Sequence, residues 1–369
     1  MSPFLVRLDK EFRLAKDDDA RAEVEAKRAG YFARTGNFSK AKDVIAALRV
    51  VYADGHAVRI TILIMIAEAL VYHYETLNHV GLDRIIRAQF LSRMIKDSQL
   101  EAITSAWRAH IEFENSKFPE MFVSLEAAHN RALFCDCNEA FTRVANIACK
   151  IALLCGETNF AKTQFLIGRD RALLDGDQAS IEALQHNKAA FRLSRLRSNM
   201  CFGAVNPDDL RETRTEIETA RSLQYLAHIT ALPTYIDLCQ AHILMVEGRL
   251  LEAVDALNLI RNGGPFPVGT FSTELVDLEL SFCLATLGRL NEAMEIFKNI
   301  DLTLIESLDA DERLFVRWLE LSLAELDNRF GISNLARIKF QESAVDYHLM
   351  IEVLSSGLKK IFFYVNEQS

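Results

Sequence analysis

Glycine and proline, the residues that most often form tight turns, are scarce in this chain. Gly occurs 15 times and Pro 6 times among 369 residues, where ordinary proteins carry about 7% and 5%. A fold of many strands needs a turn about every 8–12 residues, so this scarcity argues against one and favours long helices. Hydrophobic residues make up 50% of the chain and charged residues 25%, which excludes disorder and predicts a large buried core.

An excess of positive charge is missing as well. The chain has 42 Lys and Arg against 51 Asp and Glu, a net charge of −9, which disfavours nucleic acids and anionic membranes as partners. Residues 1–12, MSPFLVRLDKEF, lack the cationic and apolar regions of a signal peptide. The longest apolar run, Ile60–Tyr72, has 13 residues, whereas a membrane helix needs about 20. We therefore expect a soluble, cytoplasmic protein.

The motifs of common enzymes and metal sites are also absent. No nucleotide-binding loop, hydrolase elbow, zinc-protease helix or EF-hand loop occurs in the sequence. The 7 cysteines are odd in number and scattered through apolar stretches, as is typical of free thiols in a reducing compartment. Four of them lie between Cys135 and Cys155 without a CxxC pair, which favours packing over metal binding. We expect no cofactor, no metal and no enzymatic activity.

What the sequence does contain is a repeat. The phrases GRLLEA at Gly248–Ala253 and GRLNEA at Gly288–Ala293 stand 40 residues apart, and GNFSKA at Gly36–Ala41 has the same outline. Steps of 40 from these phrases give eight units, with turn positions at 36, 76, 116, 156, 208, 248, 288 and 328. The interval from 156 to 208 is 12 residues longer than the others.

Other positions follow the same period. Seven residues before the turn the chain carries Ala29, Ala69, Ala109, Cys149, Cys201, Ala241, Ser281 and Leu321. Nine residues after it stand Ile45, Ile85, Leu125, Phe165, Ile217, Leu257, Phe297 and Arg337. Antiparallel helices approach closely where one has a small side chain and the other fills the neighbouring hole. The columns predict helix pairs that bury their apolar faces by stacking on one another.

The turn Gly is followed by an aromatic residue or Leu, then by Ala and a bulky apolar residue. The aromatic or Leu position is occupied by Phe38, Phe118, Leu250, Leu290 and Phe330. This pattern resembles the tetratricopeptide repeat over about residues 22–345, with a unit longer than the usual ~34 residues. It is similar to the helical-repeat sensor regions of bacterial regulators. The resemblance implies an all-α, right-handed α-solenoid of about eight antiparallel helix pairs.

Domain boundaries follow from the same register. We expect residues 1–21 to form a lead-in helix, residues 22–345 one elongated array, and residues 346–369 a capping helix and tail. The additional residues fall near 174–186. There the sequence from Leu174 to Gln178 indicates that one helix stops and another restarts, lengthening the helix that runs to Met200.

The inner helix of each pair lines the concave groove of such an array, so its groove face supplies the candidate binding residues. The candidates near the two ends are Leu63, Ile66, Leu70, Tyr235, Leu238, His242, Phe282 and Trp318. In the middle, two rows at helical spacing are Arg143, Asn146, Lys150 and then Lys188, Arg192, Arg195, Asn199. Burial between repeats and a solvated basic face are the alternative interpretations.

The resemblance implies a non-catalytic scaffold or adaptor that binds a protein or peptide in this groove, and the two polar rows predict a partner with an acidic segment. His73 and His110 are expected on the groove face, and Asp309 and Asp311 are interpreted as helix-start residues. One alternative is a regulatory sensor that binds a small peptide or metabolite and controls a separate protein. A second is an unrecognised hydrolase, which the lack of a nucleophile beside a base opposes.

Overall fold

A computed structural model describes residues 2–52, 55–76, 80–227, 233–263 and 273–363. In these ranges all regular structure is helical, as the composition predicted, and two short 3₁₀ helices cover Leu302–Ser307 and Asn328–Phe330. The α-helices are α1 (Pro3–Leu14), α2 (Asp18–Arg34), α3 (Phe38–Val51), α4 (Val58–Thr76), α5 (Val80–Met94), α6 (Ser98–Glu114), α7 (Phe118–Cys135), α8 (Asn138–Cys155), α9 (Thr158–Asp175), α10 (Gln178–Cys201), α11 (Pro207–Ala227), α12 (Pro233–Val246), α13 (Leu250–Asn262), α14 (Thr273–Thr286), α15 (Leu290–Phe297), α16 (Ala310–Leu326) and α17 (Ser333–Phe362). None of the described helices is long and apolar enough to cross a bilayer.

Inner and outer helices differ in how much of their surface is buried. On α8, 14 of 18 residues are buried, whereas α7 buries 5 of its 18 along a single stripe. Consecutive helices pack on each other, and inner helices also pack together, as α2 does on α4 and α8 on α10. The molecule is therefore a helical repeat array with a layer of enclosed helices.

The small-residue columns lie where helices touch. Ala41, Ala253 and Ala293 have 0% of their surface exposed, and so have the bulky Leu125 and Leu257 from the neighbouring column. Such close packing leaves no space for even a methylene group. The register of 40 residues therefore matches the observed core at these positions, which range from the first unit to the seventh.

The turn positions use left-handed backbone where the repeat places Gly. Gly156 has φ +83°, and two backbone bonds close the end of α8 there, from Gly156 N to Leu153 O at 3.2 Å and from Glu157 N to Ala152 O at 2.8 Å. Gly adopts this conformation without a steric penalty, which is why it ends helices so often.

The two chain ends differ from the expected boundaries. The array begins at Asp18, where Asp17 accepts a hydrogen bond from Ala20 N at 2.8 Å, rather than at residue 22. A separate capping helix from residue 346 is not present, because α17 continues without a break. Its buried stripe runs through the proposed boundary, from Ser343 and Tyr347 to Leu358. Residues 364–369 of the expected tail lie outside the described residues.

The residues inserted between the fourth and fifth turns lengthen α10. Helix α9 ends at Asp175 and α10 starts at Gln178, with Gly176 between them at φ +65°. Helix α10 has 24 residues, compared with 17 in α6. The additional turns extend α10 across the interior.

Both chain ends return to the middle of the array. At the C-terminus, α17 packs on α7 and α8, and the Phe362 ring lies 5.6 Å from that of Phe160. Gly357 permits this approach, because a Cβ there would meet the Phe122 ring at 2.2 Å. At the N-terminus, Phe4 N donates to Gly176 O at 3.1 Å. The interior is consequently enclosed by helices from distant parts of the sequence.

Candidate functional site

The converging inner helices leave a cavity of about 250 Å³. At about 30 Å³ per water molecule, this is space for roughly eight waters or a small molecule. Its polar lining side chains include Arg34, His73, His110, Glu114, Ser116, Glu182, His186, Asn187, Ser194, Arg197, Tyr235, His242, Asp309, Asp311 and Glu312. They come from α2, α4, α6, α10, α12 and the start of α16, with the loop after α6.

One wall of the cavity carries two buried imidazoles. His73 on α4 and His110 on α6 are 5% and 3% exposed, and their rings meet edge to face at 5.1 Å. Burial lowers the pKa of His73 to about 4 and that of His110 well below its ordinary value, so both are neutral at pH 7. His110 Nδ1 has no hydrogen-bond partner among the described residues.

A second wall contains a chain of polar side chains from three inner helices. Arg197 Nη1 lies 3.1 Å from His242 Nδ1, and His242 Nε2 lies 2.7 Å from Glu279 Oε1. Because the guanidinium can only donate, Nδ1 accepts and Nε2 donates. Burial lowers the pKa of His242, which keeps the imidazole neutral in this role. In the described structure, Arg197 Nε and Glu279 Oε2 have no partner.

The remaining wall is acidic. Burial raises the pKa of Glu182 to about 7, that of Asp309 to about 6 and that of Glu312 well above its ordinary value. Glu312 Oε2 has no partner among the described residues. Desolvation is the largest influence on all three carboxyl groups, and it favours the protonated form.

Two serines connect this acidic wall to distant helices. Ser116 donates to Asp309 across 193 residues, and Ser194 donates to Asp311 across 117 residues. Asp309 stands before α16, but its side chain does not cap that helix. The interpretation of these aspartates as helix-start residues was therefore right about position and incomplete about their contacts.

Beside the cavity, the wall formed by α6 and α8 holds a buried ammonium group. Lys150 has 0% of its side chain exposed and pairs with Glu114. Its Nζ lies 4.4 Å from the centroid of the Phe113 ring and 5.1 Å from that of Phe191. Burial opposes ionisation of Glu114, and the Lys150 charge nevertheless holds its pKa below the ordinary value. A carboxylate and two aromatic faces together stabilise this cation.

The first predicted polar row is buried rather than facing an open groove. Arg143, Asn146 and Lys150 are at most 3% exposed. Arg143 lies 3.7 Å above the Trp107 ring, and Asn146 Oδ1 accepts from Asn187 Nδ2 at 3.2 Å. This row fills the space between α6, α8 and α10.

The second predicted row lies on the opposite side of α10 from the cavity. Lys188 pairs with Glu216 at 2.5 Å, and Arg192 contacts Asp209 at 3.4 Å and also Glu212. All three acids belong to α11. The two rows therefore do not share one face of the groove, because α10 presents its Glu182, His186 and Ser194 side to the cavity. Whether these rows bind a partner stays a prediction.

Arg195 and Asn199 lie beside Arg192 in a separate small hollow. It has a volume of about 10 Å³ and also includes Thr158 and Asp209. The Asn199 carbonyl accepts from Ala204 N at 2.8 Å, which belongs to the end of α10. This hollow is too small for a peptide side chain.

The apolar candidates divide into core and cavity residues. Leu63, Ile66 and Leu70 belong to the main hydrophobic core. Phe282 and Trp318 are partly buried against that core, with ring centroids 5.2 Å apart. Only Tyr235, Leu238 and His242, all on α12, line the cavity.

Sequence reasoning did not identify several residues of the site. These are Glu114, Glu182, His186, Ser194, Arg197 and Glu312. Glu182, His186 and Ser194 lie on one face of α10. Their helical spacing could have identified that face, provided that the opposite face was known to pack on α11. The contacts between α10 and the start of α16, which the sequence did not predict, show which face of α10 lines the cavity.

No protein-family model matches this chain, and a search of curated proteins found no match. In the described ranges no group of three or more His, Cys, Asp or Glu side chains is placed to hold a metal ion. All 7 cysteines are free, and burial raises the pKa of thiols such as Cys149 to about 12, so they are weak nucleophiles. The site is thus characterised by a cavity in an all-helical repeat array, with a lining that combines apolar side chains and buried polar groups.

Proposed function

We propose that this protein is a non-catalytic regulatory sensor that holds a small peptide or metabolite in the internal cavity and controls a separate partner protein. The observation that carries the proposal is the set of unpaired polar atoms at the cavity, on His110, Arg197 and Glu312. Buried polar groups are nearly always paired in native proteins. A ligand that supplies the missing hydrogen bonds would recover free energy at each of these atoms.

The finer architecture belongs to the same proposal. We infer a right-handed superhelix of about eight antiparallel pairs, similar to tetratricopeptide arrays, in the cytoplasm. The order of inner and outer helices and the free thiols support it. In this arrangement the cavity is what remains of the concave groove.

The position of the cavity suggests how occupancy is transmitted. Asp309 and Asp311 belong to the C-terminal part of the chain, and they reach Ser116 and Ser194 in the middle. A ligand that contacts these aspartates competes with or reinforces those bonds. The array is expected to exist in a closed and a more open form. A ligand with different affinities for these two forms would shift the equilibrium between them.

A scaffold that binds a protein remains the second candidate, on a different surface. Met94, Phe134 and Leu174 stand 40 residues apart at the ends of outer helices and are 63%, 77% and 72% exposed. Repeated exposed apolar residues often mark protein contact sites. The enclosed groove has less support for this role, since most of its predicted contact residues are buried or paired.

The cavity can be tested by filling it. Ala190 lines it, so Ala190→Trp should block a ligand, whereas Ala47→Trp on the exposed face of α3 is the matched control. We expect that at least one compound from a library of metabolites and short peptides raises the Tm of the wild type and of Ala47→Trp. Binding at 100 times Kd corresponds to about 2.7 kcal/mol.

The same compound should leave the Tm of Ala190→Trp unchanged, with circular dichroism confirming that this variant is folded. A compound that stabilises all three proteins equally would contradict the proposal, and so would a library without a single selective ligand.

A further inference from the structure

The chemistry of the cavity walls narrows the ligand class, on the basis of the proposed function. We propose that the cavity binds a linear aliphatic polyamine, a molecule with an ammonium group at each end and an apolar chain between them. The charges, the aromatic surfaces and the spacing of the carboxyl groups each support this assignment.

The charge balance of the cavity favours a cation. Five carboxyl groups and two guanidinium groups line it. Of these, Arg34 is neutralised by Asp177 at 2.7 Å and Glu114 by Lys150. Arg197 is the other cation, and it acts on Glu312. Arg313 acts in the same way on Asp309. That leaves Glu182 and Asp311 without an ion pair among the described residues.

The protein itself shows how this wall accommodates an ammonium group. The Lys150 ammonium is fully buried against one carboxylate and the faces of Phe113 and Phe191. Those two rings and Glu114 also line the cavity. A second ammonium from a ligand would find the same combination of carboxylates and aromatic faces within the cavity.

The unpaired acids lie at two separate places, which argues for two charges in one ligand. Glu182 is on the first turns of α10, and Asp311 is bound to Ser194 twelve positions further along the same helix. At about 1.5 Å per residue these positions are about 18 Å apart along the axis. Between them α10 offers Ala190 and Phe191 to the cavity, a surface that suits an aliphatic chain.

A further observation points to a ligand independently of the acids. His110 is 3% exposed, lines the cavity and has no partner for Nδ1 among the described residues. A neutral imidazole nitrogen can accept a hydrogen bond from an ammonium or secondary amine. No nearby side chain supplies that bond in the described structure.

The test is isothermal titration calorimetry with spermidine as the polyamine and butylamine as the probe with a single ammonium group. The protein is the full chain in about 150 mM salt, where surface attraction to a chain of net charge −9 is screened beyond about 8 Å. The variants are Glu182→Gln and Asp311→Asn, which preserve side-chain shape. Glu120→Gln, an exposed position on α7, is the control.

We expect spermidine to bind the wild type and Glu120→Gln equally, and at least tenfold more tightly than butylamine. Each cavity variant should weaken spermidine binding by roughly tenfold, as expected for the loss of one charged hydrogen bond. Equal affinity for all four proteins would show attraction to the acidic surface and would overturn the assignment.

The failure of this inference can be separated from failure of the proposed function. If spermidine does not bind, while another compound raises the Tm of the wild type and not of Ala190→Trp, the cavity is a ligand site of another class. If no compound distinguishes those two proteins, the proposed function fails together with the inference.

Discussion

Near the start of α10, two buried acids differ in whether a cation pairs with them. At its start, Asp177 accepts from Arg34 Nη1 at 2.7 Å and from Ser180 N at 3.1 Å. Further along, Glu182 is 9% exposed, close to the 6% of Asp177, yet no cation among the described residues forms an ion pair with it. Burial alone therefore does not explain the unpaired acid, because the same helix satisfies a carboxylate fully one turn earlier.

This difference has an electrostatic consequence. Burial opposes ionisation at both acids, but the Arg34 charge holds the pKa of Asp177 below its ordinary value, while burial raises that of Glu182 to about 7. The first acid, Asp177, is arranged for stability. The second retains an unfavourable arrangement of the kind found at binding sites, where stability is reduced in favour of function.

Removing the cation that pairs with Asp177 should have the largest effect on the free energy of unfolding. Arg34→Met leaves Asp177 buried without its cation, which we expect to lower the free energy of unfolding by about 3–5 kcal/mol. Urea denaturation followed by circular dichroism measures this change, with Arg13→Met at the exposed end of α1 as the control. Equal stabilities of the two variants would show that the ion pair contributes no more than a surface charge.

Replacing the unpaired acid, Glu182, should instead raise the free energy of unfolding. Glu182 is protonated in the folded protein up to pH of about 7 and loses its proton near pH 4.5 when unfolded. Its contribution to stability is therefore present at low pH and is lost as the pH rises through this interval. Glu182→Gln should match the wild type at pH 4 and exceed it by up to about 3 kcal/mol at pH 8.

Comparing the wild type with Glu182→Gln also cancels the effect of the buried histidines on stability. Burial lowers the pKa of His73 and His186 to about 4, so their contribution rises with pH over an overlapping interval in both proteins. Denaturation curves at several pH values give the difference between variants. A difference that does not depend on pH would contradict the desolvation of Glu182.

A packed position and a position at the cavity can be compared by replacing an alanine with leucine at each. Ala253 is 0% exposed at a helix contact, so Ala253→Leu should overpack it and lower stability by about 1–3 kcal/mol. Ala190 faces the cavity, so Ala190→Leu should stay within about 0.5 kcal/mol of the wild type. Thermal denaturation of both variants tests the register and the cavity, and an unchanged or raised Tm for Ala253→Leu would contradict the register.

A small loss of stability is expected where the C-terminal part of the chain meets α10. Ser194→Ala removes the hydroxyl that donates to Asp311, which should lower stability by about 1 kcal/mol because water can partly replace the bond. Ser222→Ala, at an exposed position of α11, should have no measurable effect in the same urea experiment. If the two variants behave alike, the contact between α10 and α16 is energetically neutral.

The helices and much of the core could be predicted because their signals are local. Small residues at a fixed distance from a turn identify where two consecutive helices touch, and Ala41 and Ala293 are indeed fully buried. The last unit does not follow the columns: Arg337 is exposed where a bulky apolar residue was expected. There α17 follows a shifted stripe that includes Ala336 and Ser343, set by its packing on the middle of the array.

The candidate site could not be predicted in the same way, because it depends on contacts between distant parts of the chain. Ser116 and Asp309 are 193 residues apart, and no periodic pattern brings them together. The rotation of α10 determines whether Glu182 or Lys188 faces inward. That rotation follows from the packing of α11 on one side and α16 on the other, which only the folded structure reveals.

The return of α17 to the middle of the array changes how the protein is expected to unfold. In an open solenoid each repeat contacts only its neighbours, so end repeats can fray while the rest remains folded. Here Phe362 and Gly357 contact Phe160 and Phe122, so opening the last helix also exposes the core of α7. The array should therefore unfold cooperatively, as one unit, and fold more slowly than a repeat protein stabilised by local contacts.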